Sequence, residues 1–166
     1  MNKNKRIGIY PGTFDPITFG HIDIINRSLK IVDKLIIGIA NNDNKVPLLS
    51  ISNRQKLIKT EIKSNFKYSK NINVLIIQGL LTDFSKKNNV TCIIRGLRAV
   101  SDFEYEFQLS GMNRQLNNKI ETVFLMSDPN NQVISSKLVK EIAKLNGKIN
   151  NFVTKSTQKA IKEKYD

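Results

Sequence analysis

Cysteine is nearly absent from this chain of 166 residues: Cys92 is the only one, so no internal disulfide can form. Its place in the apolar run Cys92-Ile93-Ile94 marks a buried, inert thiol and not a nucleophile. Histidine is equally scarce, and with His21 alone no Ser/His/acid triad is apparent. No stretch reaches the roughly 18 to 20 uninterrupted apolar residues of a membrane span. The basic start Met1-Asn2-Lys3-Asn4-Lys5-Arg6 has no secretory core or cleavage site behind it. A soluble, cytoplasmic protein is expected. Linkers rich in Pro, Gly and Ser are missing too, as are internal repeats, so residues 1–166 read as a single domain with one sizeable core.

Acidic residues are outnumbered, 14 against 27 Lys and Arg, for a net charge of +13. That sign admits a nucleic acid, an anionic membrane surface or phosphorylated small molecules. Much of the excess is Lys scattered among Asn, as in Lys86-Lys87-Asn88-Asn89, without interleaved aromatics. The pattern is that of a solvated face, and a nucleic-acid-binding domain would lack both a recognisable motif and a stacking platform.

What is present is an alternation of strand and helix. Residues 7–10 form a short apolar run ending at Pro11-Gly12, and Ile22, Ile25, Leu29 and Val32 then recur at helical spacing. Residues 35–40 are apolar on both faces, and Ser50 or Ser52 can cap the helix that follows to about Ser64. Strands are expected again at 74–77, 92–94 and 122–126. Helices are expected at about 82–88, from Ser101 with Tyr105, Leu109, Met112 and Leu116 on one stripe, at 135–145 and at 154–165. Alternation of this kind predicts an α/β fold, a Rossmann-like doubly wound five-stranded parallel sheet with helices on both faces. Its ligands sit at the carboxyl ends of the strands.

The loop after the first strand carries the chemistry. Backbone N–H groups at a helix start attract anions, and a His there can donate to a phosphate oxygen, which gives the Gly20-His21 step a phosphate-binding reading. Alone, the pair could as well just turn the chain. It does not stand alone: Gly12-Thr13-Phe14-Asp15-Pro16 with Thr18-Phe19-Gly20-His21 resembles the (H/T)-x-G-H signature of the nucleotidyltransferase superfamily. Arg95-Gly96-Leu97-Arg98-Ala99-Val100-Ser101-Asp102-Phe103-Glu104-Tyr105-Glu106 and Ile134-Ser135-Ser136 resemble its bacterial phosphopantetheine adenylyltransferase branch. The likeness runs from about Arg6 to the final helix.

That resemblance implies transfer of the adenylyl group of ATP to 4'-phosphopantetheine, giving dephospho-coenzyme A and pyrophosphate. In such in-line transfer the enzyme supplies position and positive charge, with no covalent intermediate. By resemblance His21 and Thr13 are catalytic, His21 donating to the α-phosphate and Thr13 touching both substrates. Lys45, Leu81 and Arg95 are expected on the phosphopantetheine side. Phe14, Gly96, Leu97, Arg98, Glu106 and the run Asn131-Gln132-Val133-Ile134-Ser135-Ser136-Lys137 are expected on ATP. Mg²⁺ is the expected cofactor, held largely by water and substrate phosphates, and no metal ligand is named. A homohexamer is implied by the resemblance alone.

The bland readings stand beside these. Lys45 is otherwise a solvated loop lysine, Leu81 a core leucine, and Asp102 with Glu106 a charged helix stripe that also offsets nearby arginines. Ser135 and Ser136 cap a helix under either reading. Lys137 departs from the family pattern, which has a small hydroxyl residue there. The nearest rival is a relative that adenylylates or cytidylylates another phosphate acceptor.

Overall fold

The computed structural model describes residues 5–41, 46–67 and 69–165. Five strands, β1 (Ile7–Gly12), β2 (Lys34–Ile39), β3 (Ile72–Ile76), β4 (Cys92–Leu97) and β5 (Glu121–Met126), form one parallel sheet in the order β3-β2-β1-β4-β5. The helices are α1 (Phe19–Ser28), α2 (Ile51–Asn65), α3 (Leu81–Lys87), α4 (Val100–Leu116), α5 (Ser136–Lys144) and α6 (Lys155–Tyr165). The expected Rossmann-like α/β architecture is the observed one.

Strand periodicity divides the core. Tyr10, Leu35, Ile37, Ile39, Val74 and Ile94 face α1 and α2, where Ile24, Ile25, Leu57, Ile58 and Ile62 meet them. Their neighbours Ile9, Ile36 and Ile93 point to the opposite face, packing with Val90 and Ile120 against Leu81 and Phe84 of α3. Because both faces are covered, these strands are apolar almost throughout. A third cluster, Ile134, Val139, Ile149, Val153 and Ile161, fixes α5 and α6 to each other.

One local expectation changes and two become specific. Helix α1 ends at Ser28, and Val32 reaches the core from a turn in which the N–H groups of Ile31 and Val32 both donate to Ser28 O. Ser50, not Ser52, caps α2 through a 3.2 Å bond from Asn53 N–H. The α4 stripe is not buried: Tyr105 is 63%, Met112 62% and Leu116 58% exposed, with Leu109 half-buried. Period 3.6 reports an apolar face, and that face can await another surface as well as its own sheet.

The order of strands locates the site. From β1 the chain winds outward to β2 and β3, then crosses to β4 on the other side of β1, so the reversal falls between β1 and β4. Pairing between those two comprises just Gly8 with Cys92 and Ile9 with Ile93, whereas β1 stays paired with β2 as far as Gly12 with Ile39. Beyond Ile9 the sheet therefore has a seam at its carboxyl end, where ligands of such folds bind.

Candidate active site

His21 is set by its own helix. Thr18 is the N-cap of α1; its Oγ1 lies 3.5 Å from His21 N–H, and its own N–H donates back to His21 Nδ1 at 3.0 Å. This is a capping box with histidine where Glu or Gln is usual. An accepting Nδ1 places the imidazole proton on Nε2, for which the described residues offer no acceptor. Burial, reinforced by the positive charge of Arg98, lowers the His21 pKa from 6.5 to about 4. At neutral pH it is an uncharged, oriented donor.

Around it the seam is lined from both sides. The Phe14 ring lies 5.0 Å from the imidazole and edge-on to Tyr10 at 5.5 Å. Burial raises the Tyr10 phenol well above its ordinary range, so it stays protonated. Phe14 itself is buried, with φ of +48°, which leaves its backbone and not its ring for a ligand. Gly96 is required by a close approach: a Cβ there would come within 3.0 Å of Ile24 and 3.5 Å of the Tyr10 hydroxyl.

The cations are tethered. Arg95 spans the seam, donating through NH1 to Pro11 O at 2.9 Å, while Nε and NH2 grip both oxygens of Glu106. Arg98 donates to Asp102 from its backbone and side chain at 3.1 to 3.2 Å, and from NH1 to Ile134 O at 3.4 Å. Burial would raise the Asp102 carboxyl, but the Arg98 bonds and charge overcome this and hold it low. Glu106 is thus occupied by Arg95, and Asp102 serves Arg98.

Helix α5 closes the third side. Ser135 caps it through a 3.1 Å bond from Leu138 N–H, and Ser136 donates its hydroxyl to Pro16 O at 2.8 Å. The N–H groups of Ser136 and Lys137, in the first helical turn, have no carbonyl within the helix and carry its positive end. Asn131 lies against Gly20, whose Cβ would come 3.8 Å from Asn131 O. Val133 is 74% exposed, Gln132 is exposed and Ile134 is buried. Lys137 points outward, its Nζ 3.9 Å from Glu141.

The structure therefore gathers Thr13, Phe14, His21, Arg95, Gly96, Leu97, Arg98, Glu106 and residues 131–136 about one end of the sheet. Leu81 packs against the α3-side core. Lys45 lies outside the described residues. Cys92 is half-buried and its thiol pKa is raised by burial, in keeping with an inert role.

Sequence reasoning missed the second layer. Asp15 is buried and accepts from Leu48 N–H, Leu49 N–H and, at 2.7 Å, Lys140 Nζ. Burial opposes its charge, but Lys140 and the two N–H groups prevail and keep it ionised below the usual carboxylate range. Arg54 was legible: with Glu61 it interrupts the buried α2 stripe of Leu57, Ile58 and Ile62. A charge on an apolar face needs dedicated partners.

Such a seam brings an oriented imidazole, two arginines and a helix N-terminus together, and residues 9–142 match the cytidylyltransferase-like family model. A relative from Pelagibacter ubique, named phosphopantetheine adenylyltransferase, is 56% identical over 98% of this chain and 99% of its own. One of the same name from Wolbachia pipientis is 53% identical over 95% of this chain and 92% of its own. The chain belongs to the phosphopantetheine adenylyltransferase family within that nucleotidyltransferase class. In fold it is similar to Plasmodium falciparum nicotinic acid mononucleotide adenylyltransferase complexed with NaAD, with TM-score 0.70 and 17% identity over 96% of this chain and 95% of that one. No helix among the described residues is long and apolar enough to cross a membrane.

Proposed function

We propose that this enzyme, acting as one domain in the cytoplasm, transfers the adenylyl group of ATP to 4'-phosphopantetheine. An oxygen of the acceptor phosphate attacks the α-phosphorus in line, the bond to the bridging oxygen of the β-phosphate breaks, and pyrophosphate leaves with that electron pair. The observation that carries this reading is His21: its Nδ1 is committed to Thr18, so an uncharged Nε2–H stands ready beside Arg98 at the sheet's seam. A donor so fixed stabilises charge growing on the α-phosphate oxygens without reorganising.

Thr13 holds the reacting groups, and Arg98 with the first turn of α5 and residues 131–136 receives the triphosphate. Ser136 must release Pro16 O to give its hydroxyl to a phosphate. Arg95 and Lys45 take the acceptor phosphate, and Leu81 borders the pantetheine arm. Among the described residues no three His, Cys, Asp or Glu side chains converge, and the site's carboxylates Asp102 and Glu106 are bound to arginines. Mg²⁺ accordingly enters with ATP, on its phosphates and water, as part of the substrate. The exposed apolar face of α4 supports association in which other copies cover Tyr105, Met112 and Leu116, and the number of copies, a homohexamer, rests on the family resemblance. The rival reading, another nucleotide or acceptor on the same fold, is tested by pyrophosphate release with ATP or CTP against 4'-phosphopantetheine or nicotinate mononucleotide. Release confined to ATP with 4'-phosphopantetheine is expected, and release with another pair alone would replace this reading.

A further inference from the structure

Arg54 is a charged side chain only 1% exposed, and no carboxylate forms an ion pair with it among the described residues. Instead its donors go to backbone: Nε to Leu49 O at 3.1 Å, and NH1 to Thr13 O at 2.8 Å and Ala40 O at 3.2 Å. Burial pushes its pKa down, and the nearby Asp15 charge only partly offsets this. An apolar side chain of similar volume would bury in α2 without that cost. What it could not do is hold three carbonyls from separate segments with one planar, multi-donor group.

Those carbonyls have a common address. Thr13 follows β1 in the loop leading to His21, Ala40 is the residue after β2, and Leu49 is the last residue before the cap of α2. Ala40 and Leu49 thus flank the connection from β2 to α2, and the guanidinium ties both flanks to Thr13. Asp15 completes the arrangement from the other side, because it accepts the N–H of Leu49 while Arg54 takes the carbonyl of the same residue.

We infer that Arg54 is a positioning residue for the acceptor side of the site: it fixes Thr13 and the two flanks of the β2–α2 connection in one frame without touching substrate. The inference rests on the adenylyl-transfer reading, which gives Thr13 to the reacting centre and the acceptor to this connection. A lysine at position 54 keeps the charge but has a single nitrogen to reach the three carbonyls, so the frame loosens. Arg54 donates to none of the groups that hold the triphosphate, Arg98 and the first turn of α5, and is linked to that side only through Thr13 and the Asp15–Lys140 pair.

The test is steady-state kinetics of Arg54→Lys and Arg54→Met beside the unmodified enzyme, with each substrate varied in turn and with melting temperature and folded fraction measured on the same samples. Misplacement of this kind costs about 10- to 100-fold; that loss is expected in kcat/KM for 4'-phosphopantetheine per folded molecule, with the KM for ATP near its original value. Melting shifts with unchanged kinetics per folded molecule, or a rise in KM for ATP as large as that for 4'-phosphopantetheine, would overturn the inference and leave Arg54 a packing residue. Should both variants fail to fold, the ¹⁵N-labelled Arg54 Nε–H of the unmodified protein decides: its resonance should move on adding 4'-phosphopantetheine and stay with a non-hydrolysable ATP analogue, and no movement overturns the inference. An unmodified enzyme that makes no dephospho-coenzyme A overturns the functional reading instead.

Discussion

Arg95 and Glu106 hold each other by two parallel bonds across the β4–α4 junction, although the sequence reading gives one to phosphopantetheine and the other to ATP. The pair is mostly shielded, with side chains 25% and 12% exposed, so neither charge can lose its partner cheaply. Arg95→Ala strands the Glu106 carboxylate, and the expected loss of stability lies toward the low end of the about 3 to 5 kcal/mol typical of a broken buried pair. Arg95→Ala/Glu106→Ala should recover part of that loss while acceptor binding stays weak. Denaturant unfolding of the two variants checks it; a double variant no more stable than Arg95→Ala would show that the pair is not coupled.

His21 does two jobs that a single substitution can separate. Its ring nitrogen closes the capping box of α1, so His21→Ala removes half of that box, at a cost of up to about 1 kcal/mol, as well as the donor proposed for the α-phosphate. Glutamine suits the capping-box position. His21→Gln should melt near the unmodified protein yet show a kcat lower by about 10² to 10³. Turnover close to normal in that variant would remove His21 from the chemistry.

As the sole imidazole in the chain, His21 can also be titrated without ambiguity. Its folded pKa of about 4 lies below the ordinary 6.5, so the unfolded chain takes up the proton first as pH falls. The stability it contributes is present above about pH 6.5 and is lost progressively between there and about pH 4. NMR of the ligand-free enzyme should show a midpoint near 4 with the neutral proton on Nε2. A midpoint at 6.5 would mean an exposed, unoriented ring.

Much of this arrangement is legible in sequence where a local rule governs. Apolar runs give the strands, Ser135 gives the start of α5, and the Gly12-to-His21 loop gives the phosphate reading. What is lost is whatever depends on remote partners. Tyr105, Met112 and Leu116 share a helical face, yet the pattern does not say that the face is exposed. Glu106 reads either as a nucleotide contact or as a charge that offsets nearby arginines, and that Arg95 is the arginine is decided only when β4 and α4 pack. Lys140 finds Asp15 across 125 residues, and no spacing rule reaches that far.

Lys137 lies in the first turn of α5, where a cation meets the positive end of the helix at a cost of about 0.3 to 1 kcal/mol. Its partner Glu141 follows it at 3.9 Å, an exposed pair in the less favourable order, which returns at most about 0.5 kcal/mol. Lys137→Thr should therefore leave the ligand-free melting temperature unchanged or slightly raised. If the ammonium swings to the bound triphosphate, the variant also weakens ATP binding and flattens its dependence on salt. Unchanged affinity and salt slope in calorimetry would leave Lys137 a surface lysine.

The most direct test is to incubate the purified protein with ATP, Mg²⁺ and 4'-phosphopantetheine and to follow the products by mass spectrometry. Dephospho-coenzyme A and pyrophosphate should accumulate in equal amounts, with no adenylylated protein at any time. Failure of both products to appear, or AMP found covalently attached to the chain during turnover, would contradict direct in-line adenylyl transfer.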